Sequence, residues 1–111
     1  MKLKTQDYSD LTVVELQGDL TGDFVDMLKN TMSEIVAKKK LGIVIDFNNV
    51  GFIDSKGLEY LLWLRDYCRE NSCALKLAAL NENCGKILEM TQLEKEFDHY
   101  SELAQAVKSL A

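Results

Sequence analysis

The sequence predicts an α/β domain with parallel strand connections. Three observations point there. Segments with strand character and segments with helical periodicity alternate along the chain. Ile43, Val44 and Ile45 are consecutive β-branched residues, the mark of a central parallel strand buried on both faces. The chain of 111 residues has no proline, no linker and no repeat, so residues 1–111 read as one domain.

The elements follow in order. Residues 1–7 suit a partner strand, with Ser9-Asp10 as the turn into a strand over Leu11–Leu16. Gly18–Asp23 is a loop rich in helix-capping types. Phe24, Leu28, Met32 and Ile35 recur at spacings of four, four and three, widened by Val25 and Val36, which predicts an amphipathic helix. Lys38-Lys39-Lys40 closes it, and cations suit a helix C-terminus, so the run reads as a solvated cap. Leu41–Phe47 is the buried strand, and Asn48-Asn49 the expected turn after it. Val50–Ile53 then approaches Asp54-Ser55, and a helix is expected from Lys56 to Glu70. Cys73–Leu80 is another strand. Asn81-Glu82-Asn83 caps a short helix carrying Cys84, Ile87, Leu88 and Met90-Thr91. Phe97–Tyr100 is a brief edge strand, and Ser101-Glu102 opens a last helix through Leu103, Ala106, Val107 and Leu110. The total is four or five strands and four helices.

Composition excludes several functions. Hydrophobic residues make up 47% of the chain and charged ones 28%, so a folded core is expected. The net charge is −5, which offers no cationic surplus for a nucleic-acid backbone. No apolar run reaches the length of about 18 residues needed to span a membrane. The start lacks the apolar centre of a secretory signal, so the cytosol is the default location. Cys68, Cys73, Cys84 and the single His99 lack metal-ligand spacing, so neither a metal nor another cofactor is expected; the cysteines read as reduced, small apolar residues.

The chemistry concentrates at Asp54-Ser55-Lys56-Gly57-Leu58. A helix start presents unpaired N–H groups and a partial positive charge, which would favour a phosphate there. Phosphorylation of Ser55 would add about −1.5 to −2 charges with little change of fold. Spacing alone favours the plainer reading, an N-cap serine. Ser55 lacks the Gly-x-Ser-x-Gly elbow of a hydrolase and an identifiable triad, and Gly51–Gly57 lacks the Gly-Lys-Ser/Thr ending of a nucleotide loop. Projected at 100° per residue, Tyr60, Leu61, Leu64, Tyr67 and Cys68 form the core arc of the following helix. Leu58, Leu62 and Trp63 fall outside it. They read either as a docking patch for a partner protein or as side chains buried by a second layer.

The segment Ile43-Val44-Ile45-Asp46-Phe47-Asn48-Asn49-Val50-Gly51-Phe52-Ile53-Asp54-Ser55-Lys56-Gly57-Leu58 resembles the signature of the STAS domain, and specifically small bacterial anti-sigma factor antagonists. Gly18-Asp19-Leu20 is similar to the family's Gly-x-Leu, and Lys86–Leu93 followed by Phe97 to its penultimate helix and last strand. The resemblance implies a STAS fold: a four- to five-stranded mixed sheet with about four helices packed mainly on one face. It also implies partner switching in transcription regulation. The unphosphorylated antagonist binds a nucleotide-bound anti-sigma factor that is also a serine kinase, and a sigma factor is released. The kinase then phosphorylates the serine after the motif aspartate, here Ser55, the complex parts, and a phosphatase resets it. The chain would thus be a kinase substrate and no enzyme.

The expected partner-binding surface, from the resemblance and the helix projection together, comprises Asp19, Thr21, Asp23, Asp54, Ser55, Lys56, Gly57, Leu58, Glu59, Leu62 and Trp63. The chain departs from the usual pattern at four places. Lys56 stands where a small residue is common, Glu59 where glycine is, Thr21 where an acidic residue is, and Gln92 where glycine is. Lys56 is placed to pair with a phosphate on Ser55. The alternative function is a non-switching STAS subunit of a transporter-associated or stressosome-like complex, with Ser55 only a cap.

Overall fold

The computed structural model describes residues 1–110. Five strands form one sheet in sequence order: β1 Lys2–Asp7, β2 Leu11–Gln17, β3 Gly42–Asn49, β4 Ala74–Ala78 and β5 Asp98–Tyr100. β1 runs antiparallel to β2, and the other pairs are parallel. Four helices accompany them: α1 Val25–Ala37, α2 Ser55–Glu70, α3 Glu82–Met90 and α4 Leu103–Lys108. The mixed sheet and the helix count agree with the expected architecture.

Strand alternation sorts the side chains between two cores. Val14 and Leu16 of β2, Ile43, Ile45 and Phe47 of β3, and Leu77 of β4 join the larger one. There they meet Leu28, Met32 and Ile35 of α1, Tyr60, Leu61, Leu64 and Cys68 of α2, and Cys84 and Leu88 of α3. Leu11, Val13, Val44 and Ala78 point to the opposite face and meet Ala106 of α4, with Leu103, Val107 and Leu110 packed around them. Three helices thus cover one face and α4 part of the other. β3 is buried on both sides, as its β-branched run predicts.

Three local expectations need correction. β3 runs two residues past the expected Phe47, so Asn48 and Asn49 belong to the end of the strand as well as to the turn that follows it. Asn49 pairs with Gln17 across a register shift in β2, its amide donates to Glu15 Oε1 at 2.9 Å, and the Val50 N–H donates to the Phe47 carbonyl at 3.0 Å, which closes the turn over the two asparagines. Second, the Phe24 end of the first helix is a 3-10 turn over Gly22–Phe24, so α1 begins at Val25. Third, the lysine run is not wholly solvated. Lys38 and Lys40 reach Asp7 at 3.0 and 3.1 Å, and Lys40 also donates to the Tyr8 carbonyl. Among the described residues no helix is long and apolar enough to cross a membrane.

Candidate functional site

Loops after β2, β3 and β4 meet at the C-terminal edge of the parallel strands, the edge where open α/β sheets present their sites. Backbone bonds stitch the first two together. Leu20 bridges Ile53, the Leu20 N–H donates to the Phe52 carbonyl at 2.9 Å, and the Asp54 N–H donates to the Leu20 carbonyl at 3.1 Å. The third loop is tied in by Asn81, whose side-chain amide donates to the Val50 carbonyl, and by Asn83, whose amide donates to the Gly51 carbonyl.

Asp54, not Ser55, is the N-cap of α2. Its backbone is extended, as a cap requires, and its Oδ1 accepts the Gly57 N–H at 2.7 Å. Its Oδ2 accepts the Gly22 N–H at 3.2 Å. One carboxylate therefore holds the start of α2 and the loop before α1 together. Ser55 is displaced to the first helical position, where its side chain is exposed. Among the described residues its hydroxyl makes no hydrogen bond to the rest of the chain.

Gly57 is buried for a steric reason. A Cβ there would stand 2.5 Å from the Leu20 carbonyl oxygen, so only hydrogen fits. Its place in the motif is packing, not a side-chain contact with a partner. Lys56 and Glu59 are exposed and pair with each other at 3.5 Å. Asp19 and Asp23 are exposed in the neighbouring loop, and Thr21 is half-buried. Cys84 is buried close by; burial, and then the Asp19 charge, push its thiol up from the ordinary range.

Leu58, Leu62 and Trp63 do not make one patch, and neither expectation for them holds as stated. All three are half-buried against the main core. Trp63 lies on the flank of α2 that faces α1, stacked between Tyr60 and Tyr67 at centroid distances of 6.0 and 5.0 Å, with the Lys29 ammonium 5.1 Å over its ring. Leu58 and Leu62 turn toward the other flank, the side on which Arg65 pairs with Glu96 at 2.6 Å. Between the flanks runs a ridge of Ser55, Glu59 and Asp66, all exposed. Tyr67, placed in the core arc, is half-buried because it completes the Trp63 stack. The Tyr60 hydroxyl is buried without a hydrogen-bond partner among the described residues, and burial pushes its pKa up.

Phe52 escaped the sequence reading. It is 44% exposed on the loop that leads into Asp54, beside the presented serine. The sequence held no signal for it: Val50, Phe52 and Ile53 are all apolar, and only the structure shows Val50 and Ile53 turned inward and Phe52 left outside. Phe52, Ser55, Lys56 and Glu59 supply an apolar, hydroxyl and charged surface at one end of the molecule. Among the described residues, no group of three His, Cys, Asp or Glu side chains is arranged to hold a metal.

Fold and site together define a small α/β domain that displays a serine at the start of the helix after its central strand. The STAS domain model matches residues 2–106, and the chain belongs to that family. Solved structures share the architecture at low identity. An anti-sigma factor antagonist from Mycobacterium paratuberculosis matches with a TM-score of 0.86 and 22% identity, covering 98% of this chain and 92% of that one. The anti-sigma factor antagonist SpoIIAA in its unphosphorylated form matches at 0.82 and 15%, covering 98% and 96%. The Bacillus cell fate determinant SpoIIAA in its phosphorylated form matches at 0.74 and 15%, covering 99% and 100%. A sulfate transporter family protein from Wolinella succinogenes matches at 0.81 and 14%, covering 90% and 84%.

Proposed function

We propose that this chain is an anti-sigma factor antagonist controlled by phosphorylation of Ser55. One observation carries the reading: Ser55 opens α2 with an exposed hydroxyl, while Asp54 beside it performs the capping. The serine is free to be modified because the fold does not use it.

Docking on an anti-sigma serine kinase brings the Ser55 oxygen to the kinase's bound nucleotide. The oxygen attacks the terminal phosphorus, the nucleoside diphosphate leaves, and the serine proton passes to a base on the kinase. The chain is then substrate, and a phosphoserine phosphatase restores it. The unphosphorylated form displaces a sigma factor from the kinase. The new dianion stands among Asp19, Asp23, Asp54 and Glu59 and faces the partner's nucleotide phosphates. Like charges juxtaposed across an interface cost several kcal/mol, which corresponds to a loss of affinity of roughly 100-fold or more. The helix N-terminus and Lys56 meanwhile keep the phosphate compatible with the fold.

The test is affinity capture from the native cell with ATP present, using wild type, Ser55→Ala and Ser55→Asp as bait. Ser55→Ala is expected to retain a nucleotide-binding kinase and Ser55→Asp to lose it, while wild type alone gains phosphate in peptide 41–56 and releases the kinase as it does so. Equal capture by all three overturns the switch and favours a non-switching subunit of a larger assembly.

A further inference from the structure

The end of α2 carries two thiols that the proposed switch does not use. Ser72 adopts a left-handed backbone with φ of 55°. Its N–H donates to the Arg69 carbonyl at 3.3 Å, and the next N–H, of Cys73, donates to the Cys68 carbonyl at 2.9 Å. These two bonds define a Schellman ending, in which the residue two past the cap contacts the residue three from the helix end. Those two positions are Cys73 and Cys68. The six-residue bond between them folds Cys73 back against Cys68, the close approach of backbones that a disulfide needs.

The two thiols differ in their access. Cys68 is sealed in the main core at 1% exposure, while Cys73 is at 8% and lines an open groove with Arg65, Arg69, Lys95 and Phe97. Arg65 is committed to Asp66 and Glu96, and Asp98 at the groove edge to Lys76, whereas Arg69 and Lys95 have no ion-pair partner among the described residues. The Cys73 thiol donates to the Ala74 carbonyl at 3.8 Å, and the nearness of the two sulfurs lowers the pKa of Cys73 and, with burial, raises that of Cys68. Cys73 is the nucleophile of the pair and Cys68 its neighbour in waiting.

We infer that Cys68 and Cys73 form a reversible disulfide across the α2–β4 turn when the protein meets a peroxide. The Cys73 sulfur attacks one peroxide oxygen, the O–O bond breaks, and the departing hydroxide leaves as water with the Cys73 proton. The Cys68 sulfur then displaces hydroxide from the sulfenic acid on Cys73, and that hydroxide takes the Cys68 proton. Two thiols and one hydrogen peroxide give one disulfide and two waters. A small thiol reverses the step by exchange. The inference stands on the turn geometry and is independent of Ser55.

The experiment treats the reduced, full chain with hydrogen peroxide and reads intact mass and tryptic peptides. Loss of two hydrogens is expected, with peptides 66–69 and 70–76 joined, Cys84 still open to iodoacetamide after unfolding, and full reversal by dithiothreitol. The Cys84→Ser variant is expected to behave identically, so the result does not hang on variants of the buried pair. Linkage should form at least about tenfold faster in the folded chain than in urea, because the turn pre-sets the geometry. Oxygen added to Cys73 without linkage, a bond through Cys84 or between chains, or equal rates in urea would each overturn the inference.

Discussion

Two adjacent residues divide the work at the start of α2. Both oxygens of Asp54 are spent on backbone donors, Gly57 and Gly22, so this side chain is structural in spite of its polarity. Ser55 touches nothing it must keep. Asp54→Ala is therefore expected to lower stability in urea by about 1–2 kcal/mol, the range for losing a cap with a tie to a second loop. Ser55→Ala should stay within about 0.5 kcal/mol of wild type. If the two variants unfold at the same urea concentration, the assignment of cap and free hydroxyl is wrong. The distinction matters for any experiment on the switch, because loss of binding in an Asp54 variant reports on folding as much as on contact.

At the scale of the element, α2 is seated by the absence of a side chain. Gly57 lets the first turn of the helix come against the Leu20 carbonyl, which fixes where Ser55 stands relative to the loop before α1. Gly57→Ala should cost about 1–3 kcal/mol, the range for overpacking a closed contact, and shift the amide resonances of residues 20–22. A variant with wild-type stability and an unmoved loop would show that the contact yields freely. The helix was legible where periodicity speaks: Tyr60, Leu61, Leu64 and Cys68 are its buried side chains beyond Gly57, as their spacing demands. Its start was misread by one residue, because aspartate and serine are both good caps and only the backbone angles choose between them. The Schellman ending was illegible, because a serine stands where glycine would announce the left-handed turn. The Trp63 flank was misassigned because a projection says which residues leave the core arc, not which neighbouring helix receives them. The burial of β3 on both faces was readable, since a doubly buried strand needs β-branched residues in succession.

Across the whole molecule, site and clasp lie at opposite ends of the sheet. Ser55 sits beyond the C-terminal ends of the parallel strands. Asp7 closes the other end, where it accepts from the Thr12 hydroxyl at 2.8 Å and binds Lys38 and Lys40 at the end of α1. The Thr12 hydrogen bond, then Lys38 and Lys40, hold the Asp7 carboxyl well below the usual carboxylate range. A depressed native pKa means that the unfolded chain takes up the proton first. The stabilisation is thus complete above the unfolded value near ~3.9 and drains away as pH falls through that value toward the native one. Asp7→Asn should therefore unfold at lower urea than wild type at pH 7, with the gap closing as the pH is brought down below about 4. Added salt should narrow the gap at pH 7 without abolishing it, because it screens the exposed lysine pairs and leaves the Thr12 bond. A gap that persists unchanged in acid would remove the carboxylate from the account. The same variant should bind its partner as wild type does at pH 7, since the clasp and the serine share no contact. Loss of binding with the fold intact would mean that the two ends communicate through the sheet.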